Sequence, residues 1–427
     1  MLDQSFSPKN FRRLLTHDMI VKYDLNVDSP AYTALAEKLS LQIVRKQFAI
    51  HPLIHRVNGE HVVYSVSRLE DDLALRKLNH NLQRLYKFKQ ADRLLISKQV
   101  AILLEEPIPF AVIRLDIKKF FESIDRDRLL IKLKNDALLS FQSLELLNQF
   151  FRLPEIASID GLPRGINLSA SLSEIFMRDY DSIVSRMKGV YYYARFVDDM
   201  IIFTHGHPAS LLVEMQDVLR AQFGLELNYA KTSTARVVKC RCKPYCRCRG
   251  SCACMPTCQC GKHPTMIDLD YLGYRFSFPD VVSSSHPVDV SIADGKVKKL
   301  KTRLVRSLLD YAQTADSDLL EKRIAYLTGN HIVKGSKDGG KLKAGIYFSY
   351  PLITNLKVLD ALTNFLRGLL NARVGAFAAK VSAKIDQVTK VRLSKYSFRA
   401  GYKNRRLRNF TAQEIRAIQR CWHYGQN

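Results

Sequence analysis

Two adjacent aspartates interrupt a strongly apolar segment near the middle of the chain. The stretch YYYARFVDDMIIFT covers residues 191–204, and Asp198 and Asp199 separate two runs of strand-forming residues. Strands avoid aspartate, and two like charges side by side repel each other. One interpretation is the tip of a β-hairpin, because aspartate is favoured in turns. The apolar flanks instead place the pair at the edge of a core, which indicates a functional site.

A second strand-like run also ends on a carboxylate. The segment FAVIRLD, residues 110–116, ends at Asp116. Three carboxylates at the ends of two neighbouring strands would repel one another unless a cation lay between them. Two divalent ions about 4 Å apart are the usual arrangement where a phosphoryl group is transferred. The three aspartates therefore predict a site of metal-assisted phosphoryl transfer.

The charge balance of the chain indicates a polyanionic partner. The 427 residues include 66 Lys and Arg against 41 Asp and Glu, which gives a net charge of +25. Basic side chains that neutralise phosphates release condensed counterions, so a surplus of this size favours nucleic acid. With 47% hydrophobic residues the chain can bury a large core, which argues against disorder.

The cellular compartment is inferred from what the sequence lacks. The N-terminal stretch MLDQSFSPKNFRRLL has no apolar region of a signal peptide. No run approaches the roughly 18 apolar residues of a membrane span. These features predict a cytoplasmic protein with no membrane contact, in which thiols stay reduced.

Eight of the nine cysteines form four Cys-x-Cys pairs that repeat every six residues. In a reducing compartment such a cluster indicates metal before disulfides. Two pairs make a tetrahedral site of four thiolates, so the tract has room for one or two Zn²⁺ ions or a small cluster. The alternative is a reduced loop that binds nothing. The predicted ligands are Cys240, Cys242, Cys246, Cys248, Cys252, Cys254, Cys258 and Cys260.

Helical and strand patterns are mixed along the chain without βαβ regularity, which predicts an α+β fold. Residues 1 to about 60 are predicted to be helical, because Ser-Pro pairs open two helical patterns there. Residues 291–427 are predicted to be mostly helical and basic. The other predicted helices lie in 70–104, 127–151 and 208–223, and a Gly/Pro loop opens a further helix in 161–177. The predicted strands lie in 60–67, 110–116, 191–204 and 268–278.

Five segments appear in the order and spacing of the palm motifs of reverse transcriptases. They are RLDIKKFFESI, GLPRGINLSAS, RFVDDMIIF, LNYAKT and YLGY, between Arg114 and Tyr274. The resemblance implies a right-hand polymerase architecture. Fingers would occupy 1–107, a palm with an antiparallel sheet 108–279, and a basic helical thumb 280–427. Helices in 127–160 would belong to the fingers, and the Cys-rich tract 239–263 would be an insertion in the palm.

The resemblance also assigns roles to the carboxylates. It implies that Asp116 and Asp198 hold two Mg²⁺ ions with help from the Ile117 carbonyl, and that Asp199 is more peripheral. Lys231 matches the lysine proposed to protonate the leaving pyrophosphate. The alternative for Lys231 is an ordinary solvated lysine.

Nucleotide and primer contacts follow from the same match. Phe121 matches the aromatic gate that packs where a ribose 2′-OH would sit, and core packing is its alternative. Arg164 stands where many relatives carry Gln, in the loop beside the incoming nucleotide. The other implied residues are Gly161, Pro163 and Gly165 in that loop, and Tyr271, Leu272 and Gly273 in the primer grip.

The basic C-terminal region contains aromatic residues that are interleaved with the charges. The stretch RLSKYSFRAGYKNRRLRNF, residues 392–410, includes Tyr396, Phe398, Tyr402 and Phe410. Aromatics among basic residues can stack bases while phosphates are neutralised. A solvated helix face with core aromatics is the alternative.

The segments LTGNH (327–331) and KAGIYFSYPLI (343–353), with Ala170 in place of a common proline, look most like bacterial defence-associated reverse transcriptases. That group implies an RNA-directed DNA polymerase in antiphage defence, which uses a structured noncoding RNA, an RNA/DNA duplex and dNTPs. One open alternative is a protein-primed or template-independent DNA synthase. Another is a catalytically silent RNA-binding protein with a polymerase fold. The sequence leaves the oligomeric state open.

Overall fold

Helices and strands are mixed along the chain, which confirms the predicted combination of α and β structure. The chain divides into two compact units, Met1–Ile96 with Pro109–Val237 and Ser97–Ile108 with Val238–Asn427. Each unit has its own apolar core. The predicted boundaries of fingers, palm and thumb stay predictions. The computed structural model describes residues 2–59, 61–88, 91–238, 264–282, 287–334 and 341–423.

The first unit packs helices around one hairpin and one four-stranded sheet. Its helices are α1 (Pro8–Leu14), α2 (His17–Lys22), α3 (Pro30–Val44), α4 (Leu69–Tyr86), α6 (Phe120–Ser123), α7 (Arg126–Asn135), α8 (Phe141–Arg152), α9 (Pro154–Ala157), α10 (Asn167–Ser185) and α11 (Pro208–Phe223). Its strands are β1 (Ile54–Asn58), β2 (His61–Ser65), β3 (Phe110–Asp116), β4 (Val190–Phe196), β5 (Asp199–Thr204) and β6 (Ser233–Val237). Residues of α5 (Arg93–Leu103) are divided between the two units.

Local capping explains where several of these helices begin and end. Ser7 and Ser29 each accept a backbone hydrogen bond as N-caps, and a proline follows in the first turn. Helix α11 begins at Pro208 and ends before Gly224, whose φ of +67° is the left-handed conformation that glycine favours. The predicted helix over 208–223 is confirmed at both ends.

Two sequence predictions in the first unit were wrong. The single helix expected over 127–151 is two helices, because Ala137 adopts a φ of +49° and Ser140 caps a new helix. The region expected to be helical up to residue 60 contains β1, which pairs antiparallel with β2. The turn between them begins with Gly59 at a φ of +64°, and an Asn-Gly pair is a strong hairpin signal.

The four-stranded sheet of the first unit positions the carboxylates. Its strand order is β4-β5-β3-β6, and the neighbouring strands are antiparallel. Strand β3 is buried at every position except Arg114, which is half-buried. The register of β3 and β5 places Asp116 directly opposite Asp199. Directly opposed residues have their side chains on the same face of the sheet.

The second unit combines helices with two three-stranded sheets, in the orders β7-β8-β9 and β11-β10-β12. The second sheet, within a region predicted to be mostly helical, was not predicted. The helices are α12 (Asp294–Thr314), α13 (Ser317–Thr328), α14 (Ile346–Ser349), α15 (Lys357–Leu370), α16 (Ala376–Lys380), α17 (Gln387–Ser394), α18 (Phe398–Asn404) and α19 (Ala412–His423), with a 3₁₀ turn at Ser382–Lys384. The strands are β7 (Met266–Tyr271), β8 (Tyr274–Pro279), β9 (Asp289–Ile292), β10 (Asn330–Lys334), β11 (Lys341–Gly345) and β12 (Leu407–Asn409).

The aromatic residues of the basic C-terminal stretch belong to the core of the second unit. Phe398 and Tyr402 are buried there, and Tyr396 and Phe410 pack against the same core from partly exposed positions. The core interpretation is therefore correct for Phe398 and Tyr402, and stacking of bases on these two rings was a wrong prediction. No helix in the described ranges is both long enough and apolar enough to cross a membrane.

Candidate active site

Asp116 ends the central strand β3 and is held by three hydrogen bonds to its side chain. Its carboxylate is almost fully buried. The Lys231 ammonium lies 3.1 Å from each of its oxygens, and the Asn228 amide donates to Oδ1 at 3.1 Å. The Asn228 backbone N–H also donates to the Asp116 carbonyl at 2.7 Å. Lys231 is therefore ion-paired with Asp116 and is not simply a solvated lysine.

Asp198 lies in the two-residue turn that joins β4 to β5, next to Val197. Val197 has a φ of +61°, a conformation that is strained for a β-branched residue. Two contacts hold this turn. The buried Arg195 donates to the Val197 carbonyl at 3.0 Å, and the Ile117 N–H donates to the Asp198 carbonyl at 3.1 Å. The hairpin interpretation of the aspartate pair is correct, and the turn presents a carboxylate beside Asp116.

Asp199 is the first residue of β5 and forms an ion pair with Arg114 of β3. The guanidinium donates to both carboxylate oxygens, from Nε at 3.0 Å and from Nη2 at 3.2 Å. Such a forked pair fixes the orientation of both side chains. Asp199 is therefore held by an ion pair with Arg114, whereas Asp198 is carried by the turn between β4 and β5.

Burial makes the charged form of both neighbouring aspartates costly. Burial, with a smaller contribution from the charge of Asp116, raises the pKa of Asp198 above its ordinary value. Burial also raises the pKa of Asp199, although the ion pair with Arg114 opposes the shift. A nearby cation would reverse this penalty, because an opposite charge favours the ionised carboxylate.

The donor set fits a hard divalent cation. Mg²⁺ is commonly held by one or two carboxylates together with substrate phosphates and water. Asp116 and Asp198 supply two such carboxylates, and Lys231 already places a positive charge against both Asp116 oxygens. In the part of the chain that the structure describes, no three His, Cys, Asp or Glu side chains are grouped as a complete metal cage.

A cavity of about 460 Å³ lies beside the loop 161–165, and its volume is typical of a site for a small molecule. Phe121 lines this cavity from a half-buried position, whereas its neighbour Phe120 is buried in the core. The cavity is also lined by His61 and Val63 of the hairpin and by Pro163, Arg164, Gly165, Ile166, Asn167, Ser169 and Ala170.

Two glycines let the loop approach its neighbours closely. A Cβ on Gly161 would lie 2.2 Å from the Phe121 carbonyl oxygen, and one on Gly165 would lie 2.4 Å from the Tyr64 carbonyl oxygen. Both glycines have positive φ. Ser169 donates to the Pro163 carbonyl at 2.7 Å and fixes the loop to the start of α10. The predicted nucleotide loop is thus a tightly held wall of the cavity.

A comparison with known protein families shows which family the residues of this site match. Residues 67–276 match the family model of the reverse transcriptase (RNA-dependent DNA polymerase). Residues 67–276 are a reverse transcriptase domain. The domain contains the three aspartates, the loop 161–165 and Lys231. Its enzyme class is RNA-directed DNA polymerase, a nucleotidyltransferase, and this part of the prediction is confirmed.

Solved structures that are similar to the chain include yeast telomerases. Apo telomerase from Candida tropicalis, truncated from the C-terminal domain, is 14% identical with a TM-score of 0.35, over 65% of this chain and 59% of that one. Telomerase from Candida albicans in complex with a TWJ fragment of telomeric RNA is 12% identical with a TM-score of 0.37, over 89% of this chain and 62% of that one. The chain thus spans less than two thirds of either structure. At these values neither likeness supports a functional conclusion. No curated protein matches the chain.

The predicted primer-grip residues of the reverse transcriptase domain form a second two-residue turn, in the other unit. Leu272 and Gly273 both have positive φ, at +47° and +84°, and they join β7 to β8. The Gly273 carbonyl accepts a hydrogen bond from the Ala293 N–H at 3.1 Å. The Tyr271 side chain is buried, so only the turn itself is presented at the surface. The primer-grip role stays a prediction.

A basic cavity of about 370 Å³ lies within the second unit. Four cations line it, and Arg392 is paired with Glu321 at 3.0 Å. Tyr396 forms one wall, and the remaining lining includes Thr328, Ser397 and Asn404. Its cationic residues are Arg392, Lys395, Arg406 and Arg408.

The eight predicted zinc ligands all lie in 239–263, outside the described residues. Zinc binding by this tract therefore stays a prediction. The ninth cysteine, Cys421, is buried in the core of the second unit as a free thiol.

Sequence reasoning missed three side chains that hold the site. Arg114 and Asn228 hold Asp199 and Asp116, and Glu122 holds Arg164. Arg114 could have been found, because residues two apart on a strand face the same side and Asp116 is the second residue after it. No comparable signal existed for Asn228 or Glu122, because their partners are far away in sequence.

Proposed function

We propose that the whole chain is an RNA-directed DNA polymerase of right-hand architecture that copies a dedicated noncoding RNA in antiphage defence. The observation that carries this proposal is the corner formed by Asp116, Asp198 and Asp199 within a reverse transcriptase domain. A chain that only bound RNA would have no need for mutually repelling carboxylates, two of which are half-buried at a cost.

In this proposal, Asp116, Asp198 and the Ile117 carbonyl would hold two Mg²⁺ ions. When bound, such ions supply activation of the primer 3′-hydroxyl and neutralisation of charge on the triphosphate. Arg114 keeps Asp199 at the edge of the corner, where its charge contributes without direct ligation. Lys231 holds a proton on Nζ beside Asp116 and can donate it to the leaving pyrophosphate.

The nucleotide would bind in the cavity between the hairpin β1–β2 and the loop 161–165. Phe121 lines this cavity from a half-buried position, so a ribose 2′-hydroxyl would meet its ring sterically. The backbone of the loop is held on both sides by the close approach of Gly161 and Gly165. This arrangement supports a preference for deoxynucleotides.

A structured RNA is the proposed partner of the second unit. The basic cavity there combines four cations with only one carboxylate, Glu321, in its lining. The net charge of +25 on the chain adds a long-range attraction for polyanions. A structured RNA that stays bound would neutralise this positive charge and would supply the template.

Sequencing of the DNA product tests the proposed function. The protein is purified with its bound RNA, supplied with dNTPs and Mg²⁺, and both the RNA and the new DNA are sequenced. The proposal predicts one dominant RNA and DNA complementary to it. Random or homopolymeric DNA would instead indicate a template-independent synthase, and DNA covalently attached to the protein would indicate protein priming.

We also propose that the Cys-rich tract binds one or two Zn²⁺ ions in a structural role. The period-six Cys-x-Cys array in a reducing compartment supports this. Elemental analysis of protein purified without chelator should find one or two zinc atoms per chain. Serine substitution of Cys240, Cys242, Cys246 and Cys248 should remove about half of the zinc if two sites exist. A metal content near zero in the wild-type protein would contradict the proposal.

A further inference from the structure

Arg164 of the nucleotide loop is paired with a carboxylate that no motif predicts. Its guanidinium donates to Glu122 from Nε at 2.5 Å and from Nη2 at 3.0 Å. Both side chains are about one third exposed or less. The forked contact uses the plane of the guanidinium, so it fixes how that plane is oriented as well as where it lies.

The same guanidinium packs against the ring of Phe121. Its central carbon lies 5.6 Å from the ring centroid, within the range of a cation–π contact. Phe121 and Arg164 both line the nucleotide cavity, whereas Glu122 lies outside its lining. Glu122 therefore lies behind two lining residues: it binds Arg164, and its Oε1 lies 3.7 Å from the His61 Nδ1.

Backbone contacts fix this wall from two further directions. The Leu162 N–H donates to the Phe121 carbonyl at 2.7 Å, and the Tyr64 N–H donates to the Arg164 carbonyl at 2.8 Å. Residue 121, the loop and the hairpin are thus connected by short hydrogen bonds on both sides of Arg164. A displacement of the Arg164 side chain is resisted by its partner and by its backbone.

The charge of Arg164 is already compensated within the chain. Burial opposes ionisation of Glu122, but the hydrogen bonds from Arg164 leave the pKa of Glu122 below its ordinary value. An ionised carboxylate therefore occupies the Nε–Nη2 edge of the guanidinium, while the Nη1 group lies outside this contact. With that edge occupied, Arg164 brings to the cavity a planar, weakly hydrated group beside the Phe121 ring.

We propose that Phe121, Arg164 and Glu122 act as one specificity-determining unit, in which Glu122 positions Arg164 so that the paired faces of Arg164 and Phe121 select the nucleotide sugar. This inference rests on the proposed function and deepens it. It assigns Arg164 to the shape of the sugar subsite and not to phosphate binding, and it makes Glu122 a positioning residue.

Sugar selectivity in three variants tests the unit. Glu122→Gln removes the ion pair, Arg164→Lys keeps the charge but loses the planar fork, and Glu122→Asp keeps the carboxylate on a shorter side chain. We expect the ratio of kcat/KM for dGTP over GTP to fall about tenfold in the first two variants. A change of this size is typical when a pocket loses a small part of its shape complementarity. Glu122→Asp should recover part of the ratio. Asp179→Asn, which breaks the exposed pair with Lys132 elsewhere in the same unit, should leave the ratio unchanged.

Three results would overturn the inference. If Glu122→Gln lowered the KM for dGTP and kept the ratio, Arg164 would be a phosphate ligand that Glu122 restrains. If Arg164→Lys kept the wild-type ratio, charge would matter and the flat face would not. A general structural role would lower the rates with both nucleotides in proportion and leave the ratio alone, which would also count against the unit.

Equilibrium binding separates this inference from the proposed function. Calorimetry with dGTP and GTP reads the selectivity of the cavity without any DNA synthesis. Suppose that the wild-type protein makes no DNA but binds dGTP more tightly than GTP, and that Glu122→Gln loses this selectivity. The proposed function would then fail and the inference would stand. If the protein made DNA and every variant kept the wild-type dGTP-to-GTP ratios of kcat/KM and of binding affinity, the inference alone would fail.

Discussion

The cations around the aspartates and two of the four cations of the basic cavity in the second unit, Lys395 and Arg406, are used in opposite ways. In the first unit, Arg114 is paired with Asp199, and Lys231 is paired with Asp116. In the second unit, Lys395 and Arg406 have no carboxylate partner among the described residues, although both line the cavity. Paired cations fix the positions of side chains, whereas unpaired cations keep their charge for an external anion. Under the proposed function, this difference separates the region that carries the chemistry from the region that binds RNA.

The largest effect should come from removing the buried cation of the first unit that holds two carboxylates at once. Arg195 has a side chain that is 4% exposed, and it binds both Glu174 and Asp181 as well as the turn that carries Asp198. Arg195→Met should lower the free energy of unfolding by about 3–5 kcal/mol, because it leaves two carboxylates without their partner. DNA synthesis should fall with it. Urea denaturation measures the first effect.

The exposed pair of Lys132 and Asp179 is the matched control for Arg195. Lys132→Met should cost less than about 1 kcal/mol, as expected for a pair near the surface. If Arg195→Met cost no more than this control, the cations of the first unit would not be fixing its geometry.

The pair of Arg114 and Asp199 should show strong coupling. A double-mutant cycle with Arg114→Gln and Asp199→Asn should give an interaction energy of about 1–3 kcal/mol. Each single variant leaves a half-buried charge without its partner, whereas the double variant removes both charges together. Activity should follow the same pattern, because Asp199 acts through its position. Additive effects of the two substitutions on stability would show that the pair does not act as a unit.

Removing the charge of Asp198 should stabilise the fold. Its pKa is raised, chiefly by burial, so the ionised form is less favourable in the folded chain than in the unfolded one. Asp198→Asn should therefore raise the melting temperature by a few degrees at neutral pH. The gain should shrink as the pH falls through the raised pKa and vanish below the ordinary value of 3.8, where aspartate is protonated in both states. A loss of stability at neutral pH would contradict this account.

The smallest effect should be in the basic cavity, where each cation contributes independently. Lys395→Gln with Arg406→Gln should lower the log–log slope of RNA affinity against salt by about 1.5, since each neutralised phosphate adds about 0.7–0.9. Arg367→Gln, an exposed substitution on α15 outside the cavity, is the control and should leave the slope unchanged. Equal changes in the cavity and control variants would mean that the cavity has no special role in RNA binding.

How far the sequence predicts this molecule depends on the range of the interactions involved. The aspartate pair, the ends of α11 and the strand β3 follow from local patterns, and each was predicted from a few neighbouring residues. The break between α7 and α8 depends on one left-handed residue, Ala137, which no local rule favours. The partners of the site residues were harder still: Lys231 and Asp116 are 115 positions apart, and Arg114 and Asp199 are 85 apart. Spacing identifies the chemical groups, but only the folded chain shows which groups neutralise one another.

Primer extension on a defined RNA template tests the central claim most directly. The wild-type protein, Asp198→Asn and the control Asp179→Asn are compared with dNTPs and Mg²⁺, and retained RNA binding and thermal unfolding show that each variant is folded. The account predicts template-complementary DNA from the wild type and the control, and a loss of at least about a thousandfold in rate for Asp198→Asn. Extension by Asp198→Asn at the wild-type rate would contradict the assignment of this corner as the catalytic site.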